Sequence, residues 1–378
     1  MQDEMKSEDA VVPEGSAGRA SSTYSPSGTG KVTRVRKKKK HAKKKKGLRI
    51  ALIVLCILVV LGLAVFGIYN ALLALGAQNL QSTPTNIAVP ENAVSYDEGK
   101  TVKHNGHTYQ YNEDVVSICV LGIDRRSNQD ASVVPGQCDA VMVMTFDTKT
   151  GAVKGITIPR DSMVEVGEYF GDSYAGVDKR QLCLAFAFGD GQESSCEHAV
   201  QAVQRVLYNM PINYYLALDM EGVAPLANAL GGVSLTALET IPNTDIVEGQ
   251  DTVLLGSNAL RYIQYRNTSV LTSSLGRQER QVQFVKAFGK QALSDALSVG
   301  GVSTLVNLFS IASEYSTTNL GVSEFTYLAT AAVSNGIDQI ELTSLDGEMT
   351  MGANYAEFNL DQDSVYQTVL DVYYKQID

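Results

Sequence analysis

At 378 residues, the chain is long enough for one large domain or two ordinary ones. Its net charge of −10 is unevenly distributed, because residues 1–49 hold 14 of the 31 Lys+Arg but only 5 of the 41 Asp+Glu. The sequence has no GxxxxGK or GxGxxG phosphate loop and no CxxC pattern, and its histidines lie near no serine motif. These absences argue against P-loop, Rossmann, zinc-ribbon and Ser-His-Asp hydrolase sites.

The basic and acidic parts of the chain are separated by an uncharged apolar stretch, residues 50–76. At 1.5 Å per residue, a helix of this length spans about 40 Å and can cross a hydrocarbon core of about 30 Å with some tilt. Lysines at 37–40 and 43–46 precede it, and such lysines mark the cytoplasmic side. A cleaved signal peptide would have a shorter leader and a shorter apolar core. We therefore predict a single-pass cell-membrane protein with a cytoplasmic N-terminus and an extracellular C-terminal domain.

The pattern divides the chain into four segments. They are a disordered basic cytoplasmic tail at 1–47, a transmembrane helix at 48–76, a linker with a short hairpin at 77–113, and a folded domain at 114–378. The first 30 residues are rich in Ser, Gly and Pro and cannot bury a core. Asn105-Gly106, between two alternating segments, is typical of a tight hairpin turn.

Within the folded domain, apolar runs of strand length alternate with helical patterns. Strands are predicted at 115–122, 140–147, 153–159, 213–219, 233–237 and 337–345. Helices are predicted at 181–188, 196–207, 220–230, 256–265, 275–293, 302–312, 323–334 and 364–375. This alternation predicts an α/β fold of α-β-α layers, with a mixed central sheet flanked by helices and preceded by one transmembrane helix. Ligands in such folds gather at strand ends, where Asp124, Asp139 and Arg160 are predicted to lie.

A cluster of arginines falls within about twenty positions of the domain, at Arg261, Arg266, Arg277 and Arg280. Arg277, Arg280 and Gln281 stand at i, i+3 and i+4, so they share one helix face. Guanidinium groups near a helix start, where free backbone N–H groups also point outward, suit phosphate. A solvated face with salt bridges to residues such as Glu279 fits the same spacing, so spacing alone leaves both interpretations open.

Four cysteines lie in the predicted extracellular part, at Cys119, Cys138, Cys183 and Cys196. An oxidising exterior allows disulfides, and four cysteines permit three connectivities. We predict a Cys183–Cys196 disulfide, which would join two adjacent predicted helices.

Eight short motifs then follow one another in a specific order between residues 115 and 288. They are LGID at 121–124, CDAVM at 138–142, IPRD at 158–161, AFAFG at 185–189, YYLALDMEG at 214–222, LGGV at 230–233, ALRYIQYR at 259–266 and GRQERQ at 276–281. Their order and spacing resemble the LytR-CpsA-Psr family. The short cytoplasmic tail and single membrane helix are also similar to that family's architecture.

Members of this family transfer glycopolymers such as teichoic acids or capsule from a polyprenyl-pyrophosphate carrier to peptidoglycan, outside the membrane. By motif match, the resemblance implies that Asp124 and Asp139 hold Mg²⁺ and act with Arg160 and Arg277 as the catalytic group. It further implies that the substrate phosphates are bound by Arg266, Arg280 and Gln281. The prenyl chain would need an apolar tunnel between sheet and helices, for which residues 182–188 and 223–230 are candidates.

The sequence departs from the family pattern at several polar positions. Gln137 and Gln264 stand where the family has Arg, Gln181 where it often has Lys, and Ser274 where it has Asp. Each lost cation would weaken phosphate binding by ~1.5–3 kcal/mol. The candidates to replace them as substrate-binding groups are Arg125, Arg126 and Arg180.

The leading hypothesis is therefore a Mg²⁺-dependent, membrane-anchored phosphotransferase with polyprenyl-pyrophosphate-linked glycopolymer and peptidoglycan as its partners. The alternatives are a non-catalytic polyprenyl-phosphate binder and a regulatory, attenuator-type envelope protein. We expect no nucleic-acid partner, because the lysine run has no helix-turn-helix pattern beside it.

Overall fold

The computed structural model of the chain describes residues 42–80, 87–125, 135–170, 173–335 and 340–378. Most of the predicted basic tail, residues 1–41, and Arg126 lie outside the described residues. The chain consists of two compact units, residues 1–61 and 62–378.

The first helix, α1 (Ala42–Asn79), begins in the first unit and ends in the second. It continues three residues past the predicted end of the membrane segment at Gly76. By length and composition, its stretch Val54–Asn79 is apolar enough to cross a membrane.

The second unit contains the remaining helices and strands. The α-helices are α2 (Glu193–Val206), α3 (Val223–Ala229), α4 (Gly256–Gln264), α5 (Ser273–Asp295), α6 (Val302–Glu314), α7 (Val322–Ser334) and α8 (Gln362–Tyr373). The strands are β1 (Val94–Tyr96), β2 (Thr101–His104), β3 (His107–Tyr111), β4 (Val115–Ile123), β5 (Cys138–Asp147), β6 (Val153–Thr157), β7 (Met163–Phe170), β8 (Ser173–Gln181), β9 (Tyr214–Asp219), β10 (Val233–Thr236), β11 (Asp251–Leu254), β12 (Ser316–Thr318), β13 (Glu341–Ser344), β14 (Gly347–Met351), β15 (Ala356–Leu360) and β16 (Tyr374–Gln376).

The central sheet has six strands in the order β12-β9-β4-β5-β6-β13. β4, β5 and β6 are antiparallel neighbours, whereas β9 runs parallel to β4 and β13 parallel to β6. β4 is buried along most of its length, since both of its faces are covered, and a continuous apolar run is typical of such a strand.

Helices cover both faces of this sheet. One core contains Leu121 and Val143 of the sheet together with α2, α8 and the segment 182–186. A second core contains Met144 and Val153 together with α3, α5, α6 and α7. The prediction of a mixed sheet in an α-β-α arrangement is therefore confirmed.

The segment predicted as a linker differs from the prediction, because most of its described part is folded into the second unit. The predicted hairpin is present as β2 and β3, with positive φ at Asn105 (49°) and Gly106 (86°) in its turn. β1 and the C-terminal β16 complete a four-stranded sheet around it. Ile87 and Val102 are buried in the same core as α2 and α8, which fixes the segment in place.

Two further differences concern local structure. The helix predicted at 181–188 is instead a pair of 3₁₀ turns, Leu182–Leu184 and Phe186–Phe188. The hairpins β7–β8 and β14–β15 were not predicted. β8 contains three consecutive charged residues, Asp178, Lys179 and Arg180, and β14 and β15 are only five residues long, so their strand signals are weak.

Candidate functional site

The candidate site lies at one end of the central sheet. β4 ends just before Asp124 and β5 begins just before Asp139, and the two strands are antiparallel neighbours, so both carboxylates lie at the same end. A cavity of about 450 Å³ is found there. We call this cavity the arginine pocket. Its lining residues are Asp124, Arg125, Asp139, Met220, Glu221, Leu260, Ile263, Gln264, Arg277 and Gln281.

Asp139 is the centre of a buried ion-pair network. Its Oδ1 accepts a hydrogen bond from Nη1 of Arg160, and its Oδ2 accepts one from Nη1 of Arg277 at 2.6 Å. Nη2 of Arg160 also donates to Oε1 of Gln137 at 2.8 Å, and its Nε lies 3.4 Å from a carboxylate oxygen of Asp161. Two guanidinium groups and two carboxylates are thereby held together beside the cavity.

Arg277 has more hydrogen-bond donors than the described residues satisfy. The residue is only 7% exposed, and its Nε and Nη2 are buried without an acceptor among the described residues. Burial, followed by the neighbouring charges of Arg160 and Arg266, lowers the pKa of Arg277 to about 10. The group is still a cation at neutral pH, so the pocket contains a buried positive charge whose donors are free to bind an anion.

Of three other predicted residues, Gln281 and Arg125 line the same pocket, whereas Arg266 acts on Arg277 without lining it. Gln281 is buried and lines it, with its amide donating to the carbonyl of Ile263 at 3.3 Å. Arg266 is exposed, donates to Oγ of Ser273 at 2.9 Å, and is close enough to lower the pKa of Arg277. Arg125 lines the pocket, but its Nη2 is held by both carboxylate oxygens of Asp219 at 3.0 Å.

Two further predicted phosphate ligands, Arg280 and Arg180, also do not line the arginine pocket. Arg280 is 2% exposed, pairs with Glu239, and donates to the backbone carbonyls of Tyr262 and Tyr265. Arg180 lies on the β7–β8 hairpin, where it pairs with Glu168 and Asp178. Both guanidinium groups are therefore already paired with carboxylates that do not line the pocket.

The predicted Cys183–Cys196 disulfide is wrong, because both cysteines are free thiols. Cys183 lies in the Leu182–Leu184 turn, and its Sγ accepts a hydrogen bond from Nη2 of Arg160 at 2.9 Å. Cys196 is buried on α2. The two residues are not on adjacent helices, since residues 182–188 form no α-helix, and Cys183 instead contacts the arginine network.

Two of the three carboxylates that line the pocket, Asp124 and Asp139, suit a magnesium ion. Mg²⁺ binds one or two carboxylates and completes its shell with phosphate oxygens and waters. Asp124 and Asp139 line the same cavity, and each Asp139 oxygen has a second lone pair beside the one that a guanidinium occupies. Among the described residues, no group of three or more His, Cys, Asp and Glu side chains is arranged to hold a metal.

A second cavity, of about 260 Å³, lies between the sheet and the helices α3, α5, α6 and α7. We call it the apolar cavity; its lining residues are Met144, Phe146, Val153, Leu216, Leu226, Val285, Phe288, Gly289, Ala292, Leu293, Leu305, Leu308, Phe309, Ala312, Phe325, Ala329, Ala332 and Ile340. Leu226 belongs to the predicted segment 223–230, but residues 182–188 pack on the opposite face of the sheet, so that part of the tunnel prediction is wrong.

One face of α5 connects the pocket and the cavity. Arg277 and Gln281 line the arginine pocket, and Val285, Phe288 and Ala292 line the apolar cavity. Successive members of this series are three or four residues apart, so they form a single stripe along the helix. A ligand with a charged head and an apolar tail would find both surfaces along one helix.

Sequence reasoning missed two polar contacts of the site. Asp219, which holds Arg125, stands at the end of β9 inside the YYLALDMEG motif, and its position at a strand end was a usable signal. Gln181, noted only as a departure, donates to Asp161 at 3.1 Å and so supports the partner of Arg160. The sequence offers no local signal for that second contact.

Comparisons with known proteins agree with this architecture. Residues 82–371 match the model of the LytR_cpsA_psr family. The chain is 31% identical over 183 residues to the polyisoprenyl-teichoic acid–peptidoglycan teichoic acid transferase TagU of Halalkalibacterium halodurans, an alignment that covers 48% of this chain and 54% of that protein. The chain thus spans about half the length of the curated relatives it matches.

Two solved structures show the same fold. Protein gbs0355 from Streptococcus agalactiae superimposes with a TM-score of 0.56 and 23% identity, covering 70% of this chain and 91% of that one. B. subtilis TagV superimposes with a TM-score of 0.53 and 23% identity, covering 68% and 96%.

Proposed function

Because this chain belongs to the LytR-CpsA-Psr family, we propose that it is a membrane-anchored transferase that moves a teichoic-acid-type glycopolymer from polyprenyl pyrophosphate to peptidoglycan. The observation that carries the proposal is Arg277 on the wall of a cavity, a buried cation with two donors that find no acceptor among the described residues. Burying such a charge is costly unless a ligand completes its hydrogen bonds, and a pyrophosphate supplies acceptor oxygens and negative charge together.

The lipid part of the donor suits the apolar cavity. The stripe on α5 leads from Arg277 and Gln281 to Phe288 and Ala292, so a pyrophosphate at the first pair places its prenyl chain toward the second. Burial of such a chain contributes ~0.8 kcal/mol per CH₂ group. Affinity for the donor would therefore come mainly from the tail and orientation from the head.

In the proposed reaction, a sugar hydroxyl of peptidoglycan attacks the phosphorus that carries the glycopolymer. The new P–O bond forms as the bridging P–O bond of the pyrophosphate breaks, its electrons leave on the polyprenyl phosphate, and the hydroxyl proton is released to water. Negative charge grows on the leaving phosphate, where the cations of Arg160 and Arg277 stabilise the transition state. Arg266, which is exposed, would bind the outer phosphate oxygens.

Asp124 and Asp139 would hold Mg²⁺ in this pocket. The ion, when bound, would neutralise phosphate charge and polarise the P–O bonds. Asp139 also fixes the two guanidinium groups, so it would orient Arg160 and Arg277 whether or not metal is bound.

The proposed location follows from α1 and the lysines before it. With an apolar helix of this length behind a lysine-rich tail, the N-terminus would lie in the cytoplasm and the folded part after α1 would lie outside the cell. The partners would then be lipid-linked glycopolymer, peptidoglycan and the membrane itself. We propose no nucleic-acid partner.

The test is release of polyprenyl monophosphate. The full chain in detergent is incubated with a polyprenyl-pyrophosphate-linked sugar and a peptidoglycan fragment, with Mg²⁺ or EDTA, and the lipid product is followed by mass spectrometry. We expect release that requires Mg²⁺ and is lost in Arg160→Ala. Release that is equal in wild type and Arg160→Ala would contradict the assignment of the pocket.

A second candidate, a non-catalytic carrier of polyprenyl phosphates, is favoured by Gln137 and Gln264. Gln264 lines the pocket and Gln137 accepts a hydrogen bond from Arg160, so two positions beside the phosphate site lack the cation expected there. Gln264→Arg and Gln137→Arg separate the two functions. A large gain in turnover with unchanged lipid binding would favour the carrier, and an unchanged turnover would favour the transferase.

A further inference from the structure

The end of the anchor helix is packed against the folded unit. Within the second unit, residues 62–68 of α1 are all exposed, whereas the partly or fully buried positions that follow are 69, 72, 73, 76, 77 and 80. These positions repeat every three or four residues and so form one stripe on the helix. α1 therefore changes from a helix suited to lipid to a helix with a protein-facing side at Tyr69.

The partner of this stripe is α7, which runs antiparallel to it. The hydroxyl of Tyr69 lies 2.9 Å from Oγ1 of Thr330, and Nδ2 of Asn79 donates to Oε1 of Glu324 at 2.6 Å. Since Thr330 donates its own hydroxyl proton to the carbonyl of Thr326, Tyr69 is the donor to Thr330. Two hydrogen bonds about 2.8 turns apart on α1 thus fix the helix pair.

Gly76 allows the two helices to approach closely. A Cβ atom added there would collide with the backbone carbonyl of Ser323 and come within 2.8 Å of Cβ of Tyr327. Gly67, on the exposed part of α1, has open space around it, since nothing lies within 4 Å of an added Cβ. The two glycines therefore differ in tertiary environment although they lie on one helix.

The opposite side of α7 lines the apolar cavity. Phe325, Ala329 and Ala332 stand at i, i+4 and i+7 and face the cavity, while Ser323, Tyr327 and Thr330 stand at the same spacing and face α1. The buried Leu80, which directly follows α1, packs in one cluster with the cavity residues Phe146, Phe309 and Phe325. α7 is thus the shared wall between anchor and cavity.

The contacts also show which end of the cavity is nearest to the part of α1 that is exposed on all sides, which ends at Ile68. Thr330, near the C-terminal end of α7, contacts Tyr69, which directly follows the exposed Ile68. The turn between β5 and β6 packs on that same end of α7, since an added Cβ at Gly151 would lie 2.9 Å from Cβ of Asn335. Along β5, Phe146 at this end is about 24 Å from Asp139 in the arginine pocket, at 3.4 Å per residue.

We propose that Tyr69, Gly76 and Asn79 dock the anchor on α7 so that the Phe146 end of the apolar cavity is held at the bilayer surface, and that the prenyl chain passes from the membrane directly into the cavity beside α7. This inference rests on the proposed function, because it concerns how that donor reaches the site. In this arrangement the pyrophosphate lies about 24 Å along β5 from the membrane-side turn while its tail stays covered by protein. Tyr69, Gly76 and Asn79 are positioning residues and do not contact the reacting atoms.

The test compares two glycine variants of the full chain in lipid nanodiscs. Gly76→Leu opens the contact between α1 and α7, and Gly67→Leu adds the same side chain where there is open space. Each protein is given two donors, a long polyprenyl-pyrophosphate sugar embedded in the same bilayer and a water-soluble analogue with two isoprene units. Hydrogen exchange of residues 69–80 reports whether docking is lost.

We expect Gly76→Leu to expose residues 69–80 to exchange and to lower kcat/KM for the embedded donor about tenfold, through loss of effective concentration. Turnover of the soluble analogue should stay within about twofold, as should both activities of Gly67→Leu. Equal losses with both donors, or no loss with the embedded donor despite faster exchange, would overturn the proposal.

Failure of the proposed function gives a different result. If the wild-type chain turns over neither donor, the transferase assignment fails. The docking proposal is then tested by measuring the rate at which a fluorescent polyprenyl phosphate moves from the bilayer into the protein. An equal rate of that transfer in wild type and Gly76→Leu would then overturn the docking proposal on its own.

Discussion

The arginine pocket and the apolar cavity lie along one face of α5 but differ in the chemistry of their lining. The pocket holds a buried cation, Arg277, with two donors that no described residue accepts from, beside a carboxylate that two guanidinium groups share. The cavity is lined by apolar and small residues and offers a ligand no hydrogen bond from its side chains. Under the proposed function, recognition of the charged head would therefore depend on a few atoms, whereas recognition of the apolar tail would depend on buried surface area.

The same difference should appear in how each region responds to mutation. Removing one charged donor changes a specific transition-state contact, while changing one apolar side chain alters a contact spread over many atoms. The largest effect is therefore expected in the pocket.

Of the substitutions considered, Arg277→Ala should lower the activity of the pocket most. We expect release of polyprenyl monophosphate to fall by about 10²- to 10³-fold, because one preorganised donor to the developing charge is lost. Mass spectrometry of the lipid product measures it. Arg261→Ala is the matched control, since Arg261 is exposed and bonds only the carbonyl of Asn243 among the described residues. Retention of more than half the activity in Arg277→Ala would contradict the pocket assignment.

Arg280→Ala should act on the fold rather than on the pocket. Its removal leaves the carboxylate of Glu239 and the carbonyls of Tyr262 and Tyr265 without this donor, so we expect a loss of ~2–3 kcal/mol in the free energy of unfolding. That loss corresponds to a Tm lower by about 5 °C in circular dichroism. An unchanged Tm with weakened pyrophosphate binding would instead place Arg280 among the phosphate ligands.

Ala292→Phe should narrow the cavity and leave the pocket intact. The residue is 3% exposed and lines the cavity, so a ring there would displace part of the prenyl chain. Loss of about two buried CH₂ groups corresponds to roughly tenfold weaker binding of a long polyprenyl phosphate. Ala229→Phe, at an exposed position of α3, is the control. Equal binding of long-chain lipid in both variants would show that the tail lies elsewhere.

Glu324 should give the smallest effect and a defined pH dependence. Burial opposes its ionised form, but the hydrogen bonds from Asn79 and Ser323 outweigh burial and lower the pKa of the carboxyl. The resulting stability is fully present above the usual value of 4.5 and is lost as pH falls through the lowered folded pKa. We expect Glu324→Gln to have a lower Tm than wild type, by the equivalent of ~1 kcal/mol, at neutral pH only.

The control for this prediction is Glu341→Gln, at an exposed position of β13. If the Tm difference between Glu324→Gln and wild type persists in acid, the carboxylate of Glu324 is not what holds Asn79. The docking of α1 on α7 would then depend on Gly76 and Tyr69 alone.

Much of the fold could be predicted because its signals are local. The uncharged run of residues 50–76, the apolar runs of β4 and β5, and the helical pattern of α5 each lie within one continuous segment. The 3₁₀ turns at residues 182–188 were mistaken for a helix, since short apolar runs do not distinguish the two. That error also produced the wrong disulfide.

The sequence by itself determined the family, the layered fold and the positions of Asp124, Asp139 and Arg160 at strand ends. It also placed Arg277, Arg280 and Gln281 on one face of α5, because helix spacing is a property of the chain alone. Only the tertiary structure decided that Arg277 and Gln281 line the pocket while Arg280 turns to Glu239. Glu239 is 41 residues away in the chain, and a side chain's partners are set by whatever the fold brings beside it, which no spacing along one helix encodes.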